Sequence, residues 1–77
     1  MKTVMKVMIN KESNTHSEIN EFLKSHNIRY ALFEQFTDSP FFIVFIDLRA
    51  TNKKKLESII NDLFWSHEYV KDELELF

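Results

Sequence analysis

The chain has 77 residues, a formal net charge of −2 at pH 7, and neither cysteine nor glycine. This length fits a single small domain, which we expect to cover residues 1–77. The missing cysteines exclude disulfides and thiol chemistry, and the missing glycines exclude glycine-rich phosphate-binding loops. No apolar run approaches the about 20 residues that cross a bilayer, and the N-terminus lacks a signal-peptide pattern, so we expect a cytoplasmic protein without membrane contact.

The first half of the sequence predicts a strand, a helix and a second strand. Residues 3–9 alternate between two apolar sets with the period of a strand, and one set is expected to face the core: Met5, Val7 and Ile9. Thr15 and Glu18 have the spacing of a capping box, which predicts a helix over residues 15–26. Residues 28–36 are rich in aromatic and β-branched side chains, so they predict the second strand.

The next part of the sequence predicts a hairpin and a second helix. Residues 37–40 form a turn before a third strand over residues 41–48, and a link this short makes the two strands antiparallel. Thr51 or Asn52 caps the helix that follows. Its apolar positions recur at helical spacing: Leu56, Ile59, Ile60, Leu63 and Phe64.

The end of the sequence completes the fold prediction. Residues 66–68 are expected to turn the chain into a last strand over residues 69–77, where apolar and charged side chains alternate. The element order is then β-α-β-β-α-β, and right-handed crossovers place both helices on one face of the sheet. The sequence therefore predicts an α+β, ferredoxin-like sandwich whose antiparallel sheet has the strand order 4-1-3-2.

The third strand is apolar on both of its faces, although two helices can cover only one. A large apolar patch on a monomer is unusual. The alternative is that a loop or the C-terminus folds over the patch, but we expect no spare segment of the chain to be long enough. We therefore expect a homodimer or another protein partner on this side. From the second strand, either Ala31 and Phe33 or Tyr30 and Leu32 face it. The predicted interface residues are Val4, Met8, Phe33, Phe41, Ile43 and Phe45.

Residues 42–48, Phe-Ile-Val-Phe-Ile-Asp-Leu, resemble the third strand of ACT domains of the prephenate dehydratase type. Ile28 opens a strand after a short helix, as in that family, and Glu34 matches the glutamate of the family's Ile-Glu-Ser segment. Apolar positions of the second helix and last strand also match, so the resemblance covers nearly the whole chain. The loop Ser13-Asn14-Thr15-His16 departs from the family because it lacks the usual glycine, and Phe36-Thr37 stand in place of arginine and proline.

The resemblance implies a regulatory binding domain and not an enzyme. ACT domains bind small molecules, often amino acids, at interfaces between paired domains. A helix N-terminus attracts a carboxylate through its unpaired N–H groups, so an effector site here would lie at the start of the first helix. The residues implied are Asn10, Asn14, Thr15, His16 and Glu34. The alternative for Asn14 and Thr15 is that they only cap the helix, which accounts for both.

Two further functions stay open, and several kinds of chemistry are disfavoured. The chain can be a stand-alone inhibitor or adaptor that docks on a larger protein. Phe41 and Phe45 on a sheet face would also suit an RNA-recognition module, but the strand lacks that motif's basic residue and glycines, and we expect no nucleic-acid partner. Glu34 and Asp47 are expected in water near strand ends. The histidines lack ligand spacing, so we expect no catalytic residues, no metal and no cofactor.

Overall fold

The computed structural model describes residues 2–33, 38–49 and 52–77. These residues form four strands and two helices: β1 (Thr3–Asn10), α1 (His16–Ser25), β2 (Tyr30–Phe33), β3 (Phe41–Asp47), α2 (Lys53–Asp62) and β4 (Ser66–Lys71). The strands pair in one antiparallel sheet with the order β2-β3-β1-β4, which is the predicted order 4-1-3-2 read from the other edge. The α+β, ferredoxin-like βαββαβ fold predicted from the sequence is thereby confirmed.

Side chains that precede each helix accept hydrogen bonds from its first turn. The Glu18 N–H donates to Thr15 Oγ1 at 3.2 Å, and the Thr15 N–H donates to Glu18 Oε1 at 3.0 Å, so α1 has the predicted capping box. At α2, the Lys55 N–H donates to Asn52 Oδ1 at 3.2 Å. Asn52 is therefore the cap of α2, while the other candidate, Thr51, lies outside the described residues.

One face of the sheet packs against both helices. Alternate side chains of β1 and β3 join apolar side chains of α1 and α2 in one buried cluster: Met5, Val7, Ile9, Ile19, Leu23, Phe42, Val44, Ile46, Leu56 and Ile60. Burying a large aliphatic side chain contributes about 1.5–3 kcal/mol, so this cluster holds the helices on the sheet. Trp65, to which the sequence pattern assigned no role, also belongs to the core, and its ring meets that of Phe22 edge to face at 5.6 Å.

β2 and β4 differ from their predicted bounds. β2 covers Tyr30–Phe33, inside the predicted strand over residues 28–36, whose last three residues lie outside the described part. Residues 66–68, predicted as a turn, belong to β4, which pairs with β1. The chain reverses at residues 63–65, directly after α2. The predicted turn is wrong because neither glycine nor proline marks the true reversal.

β4 ends at Lys71, and residues 72–77 leave the sheet. The Asp72 carboxylate accepts hydrogen bonds from the Leu76 N–H at 3.0 Å and from the Phe77 N–H at 3.1 Å. A side chain that bonds the backbone of the following residues stabilises a turn in place of a strand. The predicted strand over residues 69–77 is therefore wrong beyond Lys71. We call residues 72–77 the strap.

Candidate functional site: the open face of the sheet

The open face is the side of the sheet opposite the two helices. Of the two pairs that the sequence left open on β2, Ala31 and Phe33 lie on this side, because the Tyr30 hydroxyl donates to the side chain of Asn20 on α1. The strand register arranges the open face in rows. Read from β4 to β2, the rows are Ser66, Met8, Ile43 and Phe33; Glu68, Lys6, Phe45 and Ala31; and Val70, Val4 and Asp47.

The strap crosses one end of the open face. It starts beside β1, where the Asp72 N–H donates to the Lys2 carbonyl at 2.7 Å. It reaches the β2 edge of the sheet, where the Phe77 ring centroid lies 5.5 Å from the guanidinium of Arg29. Val4, between these two points, is only 1% exposed. The chain's own C-terminal residues thus cover a part of the face that the sequence interpretation left open, and Val4 is not accessible to a partner.

Asp47 is a buried carboxylate at this covered end. Its side chain is 4% exposed, so the expectation that it lies in water is wrong. Asp47 Oδ1 accepts from the Arg49 backbone N–H at 3.0 Å and from Arg49 Nε at 3.1 Å, and Oδ2 accepts from Arg49 Nη2 at 3.1 Å. These bonds lower the pKa of the Asp47 carboxyl against the opposing effect of burial. Asp47 is therefore ionised at neutral pH and is bound to arginine.

Asp72 extends this charge arrangement to the strap. Asp72 is 4% exposed, and its two oxygens hold the backbone of the strap as described above. Hydrogen bonds to Asp47 raise the pKa of the Arg49 guanidinium, and the charge of Asp72 adds to this effect. Arg29 Nη1 lies 3.7 Å from Asp47 Oδ2. We call these four residues the polar lock: Arg29, Asp47, Arg49 and Asp72.

The other end of the open face is apolar and stays partly exposed. Six half-buried side chains form what we call the apolar patch: Met8, Ala31, Phe33, Phe41, Ile43 and Phe45. The Phe33 and Phe45 rings meet edge to face at 5.8 Å. Beside the patch, Lys6 Nζ lies 3.8 Å from Glu68 Oε1. Apart from Val4, all of the residues predicted at an interface share this one surface.

A groove of about 340 Å³ separates the strap from the apolar patch. Its apolar walls come from Phe45 and Val70 on the sheet and from Leu74 and Leu76 on the strap, and Lys6 also lines it. Leu74 is 66% exposed. The groove extends the apolar surface of the patch toward the strap.

Two of the residues predicted to bind a small ligand lie at the end of β1 and in the loop before α1, Asn10 and Asn14. Asn10 Oδ1 accepts from the Glu12 N–H at 2.8 Å. Asn14 Oδ1 accepts from Trp65 Nε1 at 3.4 Å, a bond that ties the loop to the core. Both amide oxygens therefore have structural partners within the chain.

The remaining ligand candidates lie at the first turn of α1 or outside the described residues. Thr15 forms the capping box, and its hydrogen bonds lower the pKa of the Glu18 carboxyl. The His16 ring lies 6.2 Å from the ring of Phe42, centroid to centroid. Glu34 lies outside the described residues. Ligand binding at the start of α1 stays a prediction.

Within residues 2–33, 38–49 and 52–77, no three His, Asp or Glu side chains are grouped to hold a metal ion. No helix in the same ranges is long and apolar enough to cross a membrane. No protein-family model, no curated protein and no solved structure matches the chain. The resemblance to ACT domains therefore stays a prediction.

Proposed function

We propose that the chain is a non-enzymatic association domain that pairs with a second copy of itself through the apolar patch. The observation that carries this proposal is the partial exposure of six neighbouring apolar side chains on three strands. The helices cover one face of the sheet and the strap covers one end of the other, so within the part of the chain that the structure describes the patch is apolar sheet surface that neither of them covers. Exposed apolar surface of this kind marks interaction sites on soluble proteins.

A second copy fits the patch because the surface complements itself. Lys6 and Glu68 present one positive and one negative side chain next to the patch. In a two-fold pair, each of them can meet its opposite from the other copy. The patch residues are uncharged, so pairing forces no like charges together. The resemblance to ACT domains, whose effectors bind between paired domains, agrees with this arrangement.

The patch alone is smaller than a typical stable interface. Neighbouring strands lie about 4.8 Å apart and residues of one face recur about every 6.8 Å, so three strands and three rows span roughly 14 × 20 Å. Stable complexes bury about 800 Å² on each partner. We therefore expect a weak, micromolar pair that needs further contacts around the patch.

Ile43→Glu tests the proposal because Ile43 lies in the middle of the patch, paired with Met8 on one side and Phe33 on the other. A carboxylate buried there without a partner is strongly unfavourable. We expect the variant to be monomeric at concentrations where the wild type pairs, as measured by sedimentation velocity from micromolar to millimolar protein. Ser58→Glu, on the exposed side of α2, adds the same charge and should pair like the wild type.

The outcomes separate the proposal from its alternatives. A wild-type chain that stays monomeric over the whole range contradicts self-association and favours the adaptor that docks on a larger protein. Circular dichroism checks that Ile43→Glu is folded, and Phe45→Ser is a second patch variant if it is not. An effector such as an amino acid, which the resemblance implies, would raise the melting temperature because it binds only the folded chain.

A further inference from the structure

α1 ends in a turn that places an asparagine where left-handed backbone is needed. The Asn27 N–H donates to the Lys24 carbonyl at 3.1 Å, and the Ile28 N–H donates to the Leu23 carbonyl at 3.0 Å. Asn27 has a φ of 56°, and Ile28 returns to the core. This is a Schellman turn, in which glycine or asparagine is the usual left-handed residue. Since the chain has no glycine, asparagine is the expected choice.

α2 ends in the same kind of turn, but its left-handed residue is a phenylalanine. The Phe64 N–H donates to the Asn61 carbonyl at 3.0 Å, and the Trp65 N–H donates to the Ile60 carbonyl at 3.2 Å. Phe64 has a φ of 57°, and Trp65 returns to the core. A bulky residue at positive φ is unfavourable because its Cβ crowds the following carbonyl oxygen.

Phe64 gains no compensation from packing against the residues that the structure describes. Its side chain is 93% exposed, although the sequence pattern placed it at the end of the apolar stripe of α2. A ring in water forgoes the stabilisation that burial would give. The monomer therefore carries an unfavourable backbone and an unburied aromatic side chain at the same residue. Local strain of this kind is concentrated at functional positions, and exposed aromatic residues are frequent binding anchors.

Phe64 also lies at the right end of the molecule to reach a partner on the patch. It stands two residues before Ser66, which begins β4 and pairs with Met8 of the patch. The strap leaves the opposite end of β4, after Lys71. A phenylalanine adds roughly 150–250 Å² of buried surface, which is the kind of extra contact that the small patch needs.

We infer that Phe64 is an anchor residue of the pair, and that its ring packs against the apolar patch of the second copy. The inference rests on the proposed function, since it needs a second copy on the patch. A two-fold pair makes this contact twice, because the Phe64 of each copy meets the patch of the other. The unfavourable position in the monomer is then offset by burial in the pair.

Phe64→Asn tests the inference because it installs in α2 the residue that α1 already uses. At concentrations below the dissociation constant, we expect the melting temperature to rise by about 5 °C, since the turn loses its strain. We expect the dissociation constant to rise by about tenfold or more, since an aromatic anchor is lost. Phe64→Tyr keeps the ring and should keep both the pairing and the lower melting temperature.

The results distinguish failure of this inference from failure of the proposed function. A Phe64→Asn variant that pairs like the wild type, while Ile43→Glu does not pair, overturns the anchor and leaves the patch pairing intact. A Phe64→Asn variant that dissociates, while Ile43→Glu still pairs, overturns the patch and with it the contact proposed for Phe64. A wild-type chain that never pairs overturns both.

Discussion

The two ends of the open face are formed by the same alternating strands but differ in their exposure, because the strap covers one end and not the other. At one end, Val4 is 1% exposed beneath the strap. At the other end, Ile43 and Phe33 stay half-buried in the apolar patch. Both ends present apolar residues from neighbouring strands, so hydrophobicity alone does not decide which end is covered. The polar lock determines which end is covered. Its Asp47 carboxylate binds an arginine side chain, and its Asp72 carboxylate binds the backbone of the strap, so the chain turns across the sheet and does not continue as an exposed strand.

A short chain can thus limit its accessible apolar surface by covering the residues that lie beside it. The strap covers one end of the open face and is held by hydrogen bonds to the Asp72 carboxylate, which weaken if either partner moves. The patch is left with apolar contacts that a second copy can match. The accessible area is therefore set by Asp72 and its backbone partners as much as by the patch residues themselves.

Opening the covered end has the largest expected effect on stability. In Asp72→Ala, the N–H groups of Leu76 and Phe77 lose their acceptor, and the strap no longer shields Val4. A hydrogen bond to a charged group contributes about 1.5–3 kcal/mol. Water can replace the carboxylate as acceptor for the freed N–H groups and offsets part of the loss. We therefore expect the free energy of unfolding to fall by about 2 kcal/mol. Urea unfolding of dilute protein measures the change. An equal loss in the exposed neighbour variant Glu73→Ala would contradict the role given to Asp72.

Removing the charge of Asp47 has a smaller effect that depends on pH. The pKa of this carboxyl is lower in the folded chain than its ordinary value of 3.8, so ionised Asp47 stabilises the fold above that pH. This stabilisation is lost as the pH falls through the folded-state pKa. Side chains of Arg29 and Arg49 are 61% and 53% exposed, so water screens them, and we expect Asp47→Asn to cost about 1 kcal/mol at neutral pH.

The same unfolding experiment, repeated from neutral to acid pH, checks the sign of this effect. The difference between the wild type and Asp47→Asn should shrink as the solution becomes acid, because the wild-type carboxyl then loses its charge as well. A difference that stays constant at every pH would show that shape, and not charge, matters at this position.

Reversing one charge beside the patch has the smallest expected effect. It acts on pairing and, because Lys6 and Glu68 also form an ion pair within the chain, on the stability of the fold. Lys6→Glu places a second carboxylate next to Glu68, where the proposed pair would bring opposite charges together. We expect the dissociation constant to rise about fivefold at low salt, since an exposed ion pair contributes up to about 1 kcal/mol. Sedimentation velocity at low and high salt measures it. The double variant Lys6→Glu/Glu68→Lys should restore pairing, and a double variant as weak as the single one would contradict charge complementarity.

Much of the open face could be predicted from the sequence because a strand's side chains alternate strictly. Once Met5 and Val44 are assigned to the core, Met8, Ile43 and Phe45 must lie on the other side, and the structure has them there. The start of α1 can be predicted equally well, since Thr15 and Glu18 have the spacing of a capping box. These features depend on neighbours that are close in the sequence.

The strap was not predicted because its sequence imitates a strand. Val70, Leu74 and Leu76 fall on one side of an alternating pattern, yet the Asp72 carboxylate captures backbone N–H groups farther along the chain and ends the strand. Trp65 was missed for a related reason, since the reversal before it uses a phenylalanine at positive φ and no glycine. In both places the backbone adopts one of two conformations, a turn or a regular element, that the period of the hydrophobic residues cannot distinguish.

The most direct test of the pairing compares both ends of the open face in one experiment. Methyl NMR spectra of the wild type, recorded over a dilution series, report separately on Met8 and Ile43 in the patch and on Val4 beneath the strap. We expect the Met8 and Ile43 signals to move with concentration while the Val4 signals stay in place. Signals that do not move at any concentration, or that move only for residues on the helices, would contradict it.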